Sequence, residues 1–142
     1  MVGSKKVESF EDLIVWQEAQ DLAVYIYEIT KSFPSDEVFA ITNQLRRAAN
    51  SISANIAEGF GRNTKKDKIH FYVMAYGSLL EVKNFLYLSN RLNYLANQDL
   101  EKILLQCTSC QKLINASKRS LQTWANHLPP TTYHLPIPAW WL

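Results

Sequence analysis

The sequence predicts an all-α protein: an up-down-up-down antiparallel four-helix bundle with an extended, proline- and tryptophan-containing C-terminal tail. Three observations lead there. Four of the five prolines (Pro129, Pro130, Pro136, Pro138) lie at the C-terminal end, so Pro34 is alone among the first 128 residues, which also hold all four glycines. A turn-rich β domain needs more such breaks, whereas long helices need few. Apolar residues recur at three- and four-residue steps in four separate stretches. The joins between the stretches are short, so successive helices run antiparallel. A chain of 142 residues suits one domain, and 47% hydrophobic against 20% charged residues excludes general disorder. The predicted division is a lead over residues 1–8, a bundle over 9–128 with helices near 10–33, 36–59, 65–93 and 98–126, and a tail over 129–142.

The first helix starts after Ser9, a capping residue with Asp12 in the capping-box place. Its stripe is Trp16, Ala19, Leu22, Ala23, Ile26, Ile29 and Phe33, and Pro34 ends it. Ser35 caps the second helix, with Asp36 and Glu37 at its positive end. Its stripe is Leu45, Ala48, Ala49, Ile52 and Ile56, and Gly59 and Gly61 are read as its stop. Thr64 caps the third, again with an acid, Asp67, three residues on. Its stripe runs Phe71, Ala75, Ser78, Leu79, Val82, Phe85, Leu86 and Leu92. Asn97 caps the fourth, with Leu100, Ile103, Leu104, Cys107, Ile114, Leu121 and Trp124 as its stripe. Helices of this length measure about 35–45 Å.

A turn centred near Arg62 sets the expected register of helices two and three. It places Ala48 opposite Gly77, two small residues that let the backbones approach. Around them it gathers a polar network of Gln44, Arg47, Ser78 and Glu81, in which Glu81 accepts from Arg46 or Arg47 and fixes helix register. Gln44, Ser51, Asn55 and Glu58 form a further polar line that either bridges helices or faces a subunit interface. Helix three carries a second stripe, Tyr72, Tyr76, Leu80 and Tyr87, and a helix apolar on two faces buries both. Ile14, Tyr25 and Tyr27 add to this on helix one. The second stripe suits a neighbouring copy, so a homo-oligomer is expected.

The net charge of +2 is unevenly placed: residues 1–45 sum to −5 and residues 46–142 to +7. Arg62, Lys65, Lys66 and Lys68 crowd the turn after helix two. Arg46 and Arg47 lie on helix two, and Lys112, Lys118 and Arg119 on helix four. These nine cations are either a solvated face or a surface that holds phosphate backbones by counterion release. In an oligomer the turn cluster repeats around an axis, which favours the second reading. No sequence-reading motif for nucleic acid accompanies them.

Other chemistry is not indicated. Cys107 and Cys110 have C-x-x-C spacing inside an amphipathic helix, which suits two buried or half-buried thiols better than a redox or zinc site. His70, His127 and His134 are scattered. No phosphate loop, dinucleotide fingerprint, metalloprotease motif or nucleophile elbow occurs, so the expectation is a non-enzyme with no cofactor or metal. No apolar run approaches a membrane span, the N-terminus lacks a secretory pattern, and two cysteines make no disulfide framework. A cytoplasmic protein without membrane contact is therefore expected. The tail is either a frayed end or an arm whose Trp140 and Trp141 dock on a neighbouring subunit or partner.

Several segments together resemble a known family. They are Leu13-Ile14-Val15-Trp16-Gln17, Phe33-Pro34, Gln44-Leu45-Arg46-Arg47-Ala48, Ser51-Ile52, Asn55-Ile56-Ala57-Glu58-Gly59 and Ala75-Tyr76-Gly77-Ser78-Leu79-Leu80-Glu81. The pattern resembles the four-helix bundle proteins encoded in intervening sequences of bacterial 23S rRNA genes. It runs from about Phe10 to Trp124 and leaves the tail outside. The resemblance implies a bundle that assembles as a homopentamer. The family is also similar to the accessory variability determinant of diversity-generating retroelements, a basic pentamer that binds a reverse transcriptase and nucleic acid. The partners so implied are further copies of the chain, RNA or DNA, and a reverse transcriptase.

Overall fold

A computed structural model describes residues 6–125, with side chains to Thr123. It contains four helices: α1 (Ile14–Thr30), α2 (Ile41–Phe60), α3 (Lys65–Arg91) and α4 (Asn97–Ala125). The tail, with Trp140 and Trp141, and the side chain of Trp124 lie outside the described residues.

Cross-helix contacts give the topology. Gln20, Tyr27 and Arg46 set the run of α1 against α2: Gln20 bonds Ser53, Asn50 bonds Tyr27, and Arg46 bonds Thr30. Ascending numbers on one helix meet descending numbers on the other, so the pair is antiparallel. Ser51–Ser78 and Phe60–Lys68 do the same for α2 and α3, and Tyr72–Ser117 begins the same pairing of α3 with α4. Each helix packs on the next and α4 closes on α1, while α1 and α3 stand diagonally opposite without contact.

The stripes meet along the axis. Leu22, Ile26, Leu45, Ile52, Ile56, Leu79, Leu86, Ile103 and Ile114 are fully buried. Each such side chain contributes about 1.5–3 kcal/mol on leaving water. Trp16, Ile29 and Phe85, expected in the core, are only half-buried, and Leu92 is exposed. Val15 and Thr30 are inside instead.

The first two helices begin later than their sequence signals. Ser9 caps a 3-10 turn over Phe10–Asp12, and its N–H donates to Asp12 Oδ2 at 3.3 Å. Leu13 is then extended (φ −73°, ψ 123°) before α1 starts. The Phe10 ring packs edge-on against Trp16, centroids 5.2 Å apart, and holds the turn to the helix. Ser35 likewise opens a 3-10 turn, Ser35–Glu37, not α2. Glu37 is tied to the α3–α4 connection, where its Oε1 accepts from Tyr94 at 3.0 Å.

The α2–α3 register also differs from expectation. Gly59 lies inside α2 and is no stop; no glycine among the described residues has positive φ. The connection spans Gly61–Thr64, centred where it was expected, but the helices pair in another register: Ser51 meets Ser78 at 2.9 Å. That displaces the pairing by roughly one helical turn from the Ala48–Gly77 expectation. A β-carbon on Gly77 would meet nothing within 4 Å, so no helix of this chain approaches there. Thr64 does cap α3, its Oγ1 accepting from the Asp67 N–H at 3.1 Å.

Helix α3 closes in a Schellman motif. Asn93 takes the left-handed conformation (φ 63°). Its N–H donates to Asn90 O at 3.0 Å, and the Tyr94 N–H donates to Ser89 O at 2.9 Å. The Asn90 amide then bonds Leu95 O and Asn97 Oδ1, which seats the start of α4.

Candidate nucleic-acid interface

The antiparallel order brings the α2–α3 turn and the C-terminal part of α4 to one end of the bundle. Arg62, Lys65, Lys66 and Lys68 thus share an end with Lys118 and Arg119, while Lys112 lies about 10 Å further along α4. Arg62, Lys66, Lys112 and Arg119 are exposed; Lys65, Lys68 and Lys118 are half-buried.

Several of these cations also serve the fold. The Lys68 ammonium donates to Phe60 O at 2.7 Å and Gly59 O at 3.5 Å, covering carbonyls at the negative end of α2. It also lies 5.4 Å from the Phe60 ring centroid. The Arg62 guanidinium stacks 4.7 Å from the centre of Phe71, which leaves its charge on the surface. Desolvation lowers the Lys65 pKa from the ordinary lysine value.

Arg46 belongs to a different place. Its Nε donates to Thr30 Oγ1 at 2.9 Å and its guanidinium sits 4.7 Å above Tyr27. It is half-buried between α1 and α2, toward the opposite end, and does not join the basic cluster. Arg47 is exposed on α2, also away from the turn.

Acidic groups reach the basic end too. Antiparallel packing puts the approach to α1, with Glu8, Glu11 and Asp12, at this end, which also holds Glu58 of α2 and Asp67 of α3. Because α1 and α3 are diagonally opposite, Glu8, Glu11 and Asp12 lie across this end from the α3 cations, whereas Asp67 stands between Lys66 and Lys68 on α3 itself. The sequence count of −5 and +7 segments has no trace of this, because fold topology folds one segment back over the other.

The polar network differs in membership from the expected one. Gln44, Arg47 and Glu81 are exposed, and no hydrogen bond or ion pair among the described residues joins Glu81 to Arg46, Arg47 or Gln44. The physical reason is the register: Ser78 meets Ser51 and not Arg47, and Glu81 is left exposed. The network that forms is Asn55, which is buried, with the half-buried Ser51 and Ser78. Asn55 Nδ2 donates to Ser51 O at 2.8 Å and Ser51 Oγ at 3.0 Å, and Ser78 Oγ lies 2.9 Å from Ser51 Oγ. The polar line on α2 was visible in the sequence, and its Ser51 and Asn55 members bridge or brace helices; Gln44 and Glu58 are exposed.

The second stripe of α3 also divides. Tyr72 is half-buried toward α4 and hydrogen-bonded to Ser117; burial raises its pKa and that bond opposes the rise. Tyr76 is packed against the core. The outward line is instead Val73, Gly77, Leu80 and Tyr87, with Val73, Leu80 and Tyr87 each 45–49% exposed. Tyr25 joins the core surface, and Tyr27 is held by Arg46 and Asn50. Ile14 remains exposed. Phe39, in the α1–α2 connection, is 94% exposed and was not singled out by periodicity because it lies outside any helix.

Cys107 and Cys110 are free and fully buried on one face of α4. Among the described residues no three His, Cys, Asp or Glu side chains come together as metal ligands, and no helix is long and apolar enough to cross a membrane.

Comparison with known proteins agrees with this architecture. No curated protein matches the chain. Among solved structures, a protein of unknown function from the S23 ribosomal protein family of Bacteroides thetaiotaomicron aligns with a TM-score of 0.69 and 25% identity. The alignment covers 75% of this chain and 96% of that one. Residues 11–116 match the family model for the 23S rRNA-intervening sequence protein. With its four helices in place and most of its length matched, the chain belongs to the 23S rRNA-intervening sequence protein family.

Proposed function

We propose that the protein is a non-enzymatic homo-oligomer, a pentamer, that binds nucleic acid, and RNA in particular, through its basic end. The observation that supports the reading is that Arg62, Lys65, Lys66 and Lys68 share one end of the bundle with Lys118 and Arg119. With Lys68 turned to the Phe60 and Gly59 carbonyls, the other five cations on these helix ends form a surface for phosphate oxygens, and stacking of Arg62 on Phe71 preorients one of them. Assembly multiplies the charge. The exposed α3 line of Val73, Leu80 and Tyr87, interrupted by Gly77, supports contact with a second copy. Binding of this kind follows phosphate charge and not base sequence.

The test is a salt titration of binding to structured RNA and to duplex DNA, with Lys65→Glu/Lys66→Glu alongside the parent. Parent affinity is expected to fall steeply with salt, and the variant to lose about 0.9 from the log–log slope for each phosphate contact removed. Equal binding by parent and variant at low salt overturns the reading. Light scattering of the same samples tests the assembly, and a clean monomer overturns that part.

A second reading rests on the exposed apolar groups. Phe39 and the outer face of α3 suit a protein partner, which makes the bundle an accessory scaffold for a reverse transcriptase or another ribonucleoprotein. Phe39→Ala would then weaken partner binding while RNA affinity stays at the parent value.

A further inference from the structure

A groove of about 500 Å³ opens where the C-terminal parts of α2 and α4, the first half of α3 and the entry to α1 meet. Leu13, Phe60, Tyr72 and Leu121 form its walls, with Lys68 and Ser117 as polar neighbours. Both polar groups already have partners: Lys68 bonds the Phe60 and Gly59 carbonyls, and Ser117 bonds Tyr72. The groove thus offers an apolar surface whose nearby cation is turned to backbone carbonyls. That disfavours an anion and suits an uncharged aromatic group, for which a neighbouring ammonium is a favourable contact.

We infer that the groove is the docking site of this chain's own C-terminal segment, with Trp140 and Trp141 as the occupants. Position, chemistry and reach support the pairing. The wall includes Ser117, Ser120 and Leu121 from the last turns of α4, immediately before the segment begins. Residues 126–142 contain no Asp, Glu, Lys or Arg, and carry Leu128, Tyr133, Leu135, Ile137 and the two tryptophans. Pro129 and Pro130 disfavour helix, and the segment follows in sequence on the α4 turns that line the groove. The fifteen residues from 126 to Trp140 could span up to roughly 45 Å if extended, ample for a return to Leu121. One indole occupies only part of a groove this size, which leaves room for both tryptophans, and aromatic side chains gain strongly from burial. Docking would cover Tyr72 and tie the end of α4 to α1 and α3. The inference is independent of nucleic-acid binding.

The test uses the full chain with Trp16→Phe and Trp124→Phe, which leaves Trp140 and Trp141 as the only tryptophans. Acrylamide quenching of their fluorescence is compared with that of N-acetyltryptophanamide. Docking predicts a quenching constant several-fold below the free amide. Ser120→Arg, at an exposed position on the groove wall, and Leu121→Asp should each raise it toward the free value. Leu105→Asp, remote on α4, should not change it, with circular dichroism confirming helix content throughout. Quenching equal to the free amide in the parent, or no response to Ser120→Arg, overturns the inference. Protection that disappears on dilution also overturns it, because the tryptophans would then occupy a groove on another copy.

Discussion

Gly59 of α2 lies against Phe71 of α3 so closely that a β-carbon on residue 59 would stand 2.7 Å from the Phe71 β-carbon. Glycine is required here by contact between helices, since its backbone is ordinary helix. Gly77 is the opposite case, exposed in mid-helix with nothing near it.

The two glycines should therefore respond with opposite sign. Gly59→Ala must push α2 and α3 apart, and is expected to cost about 1–3 kcal/mol as an overpacking change. Gly77→Ala should stabilise each subunit by about 0.5–1 kcal/mol through helix propensity. Urea unfolding at one fixed protein concentration measures both.

Asn93 provides the left-handed residue of the α3 terminus, at φ 63°. Asn93→Gly should hold or slightly raise stability. Asn93→Val places a β-branched residue in that conformation and should cost about 1–2 kcal/mol. Thermal unfolding of the pair separates a backbone requirement from a side-chain one.

Thr30 is buried on α1, where its hydroxyl donates to Ile26 O at 2.8 Å and accepts from Arg46 Nε at 2.9 Å. Thr30→Val keeps the shape and removes both bonds. A loss of about 1–2 kcal/mol is expected, because the Arg46 donor is left without that partner. Arg46→Ala should destabilise as well, through the lost stacking on Tyr27, and should leave nucleic-acid affinity nearly unchanged.

Burial pushes the Cys107 thiol up to about 11 and the Cys110 thiol up to about 12, from an ordinary 9.0. Desolvation disfavours each thiolate, so the native state prefers the neutral form. That contribution to stability is complete below pH 9 and is lost as pH rises through 11 to 12. Unfolding free energy should fall over this range, and less steeply in Cys107→Ala/Cys110→Ala. At neutral pH the raised values alone should slow native alkylation about 100-fold or more relative to an unfolded thiol. Labelling in the presence and absence of urea checks it.

Much of the fold was legible in the order of residues. The apolar stripes marked all four helices, and Leu45, Ala48, Ala49, Ile52 and Ile56 are all buried as the 3.6-residue period requires. Thr64 with Asp67 marked the start of α3 correctly because a cap is local chemistry. Ser9 and Ser35 have the same chemistry but begin 3-10 turns: Phe10 packs on Trp16 beside an extended Leu13, and Glu37 is held by Tyr94, distant in sequence. The candidate site was legible as a list of cations and not as an arrangement. Arg46 looked like Arg47 in the sequence, yet a reachable Thr30 and Tyr27 on α1 captured it.

By itself, then, the sequence determined the helical class, the stripes that become the core, the family, and the crowding of charge after α2. These follow from periodicity, proline placement and caps, each a property of a few neighbouring residues. Tertiary structure alone decided the α2–α3 register, the close approach at Gly59, the outward position of Glu81, and the carboxylates that share an end with the basic corner. Those depend on which helix stands beside which and at what height. A four-residue shift leaves every helical stripe intact while changing all the partners across it.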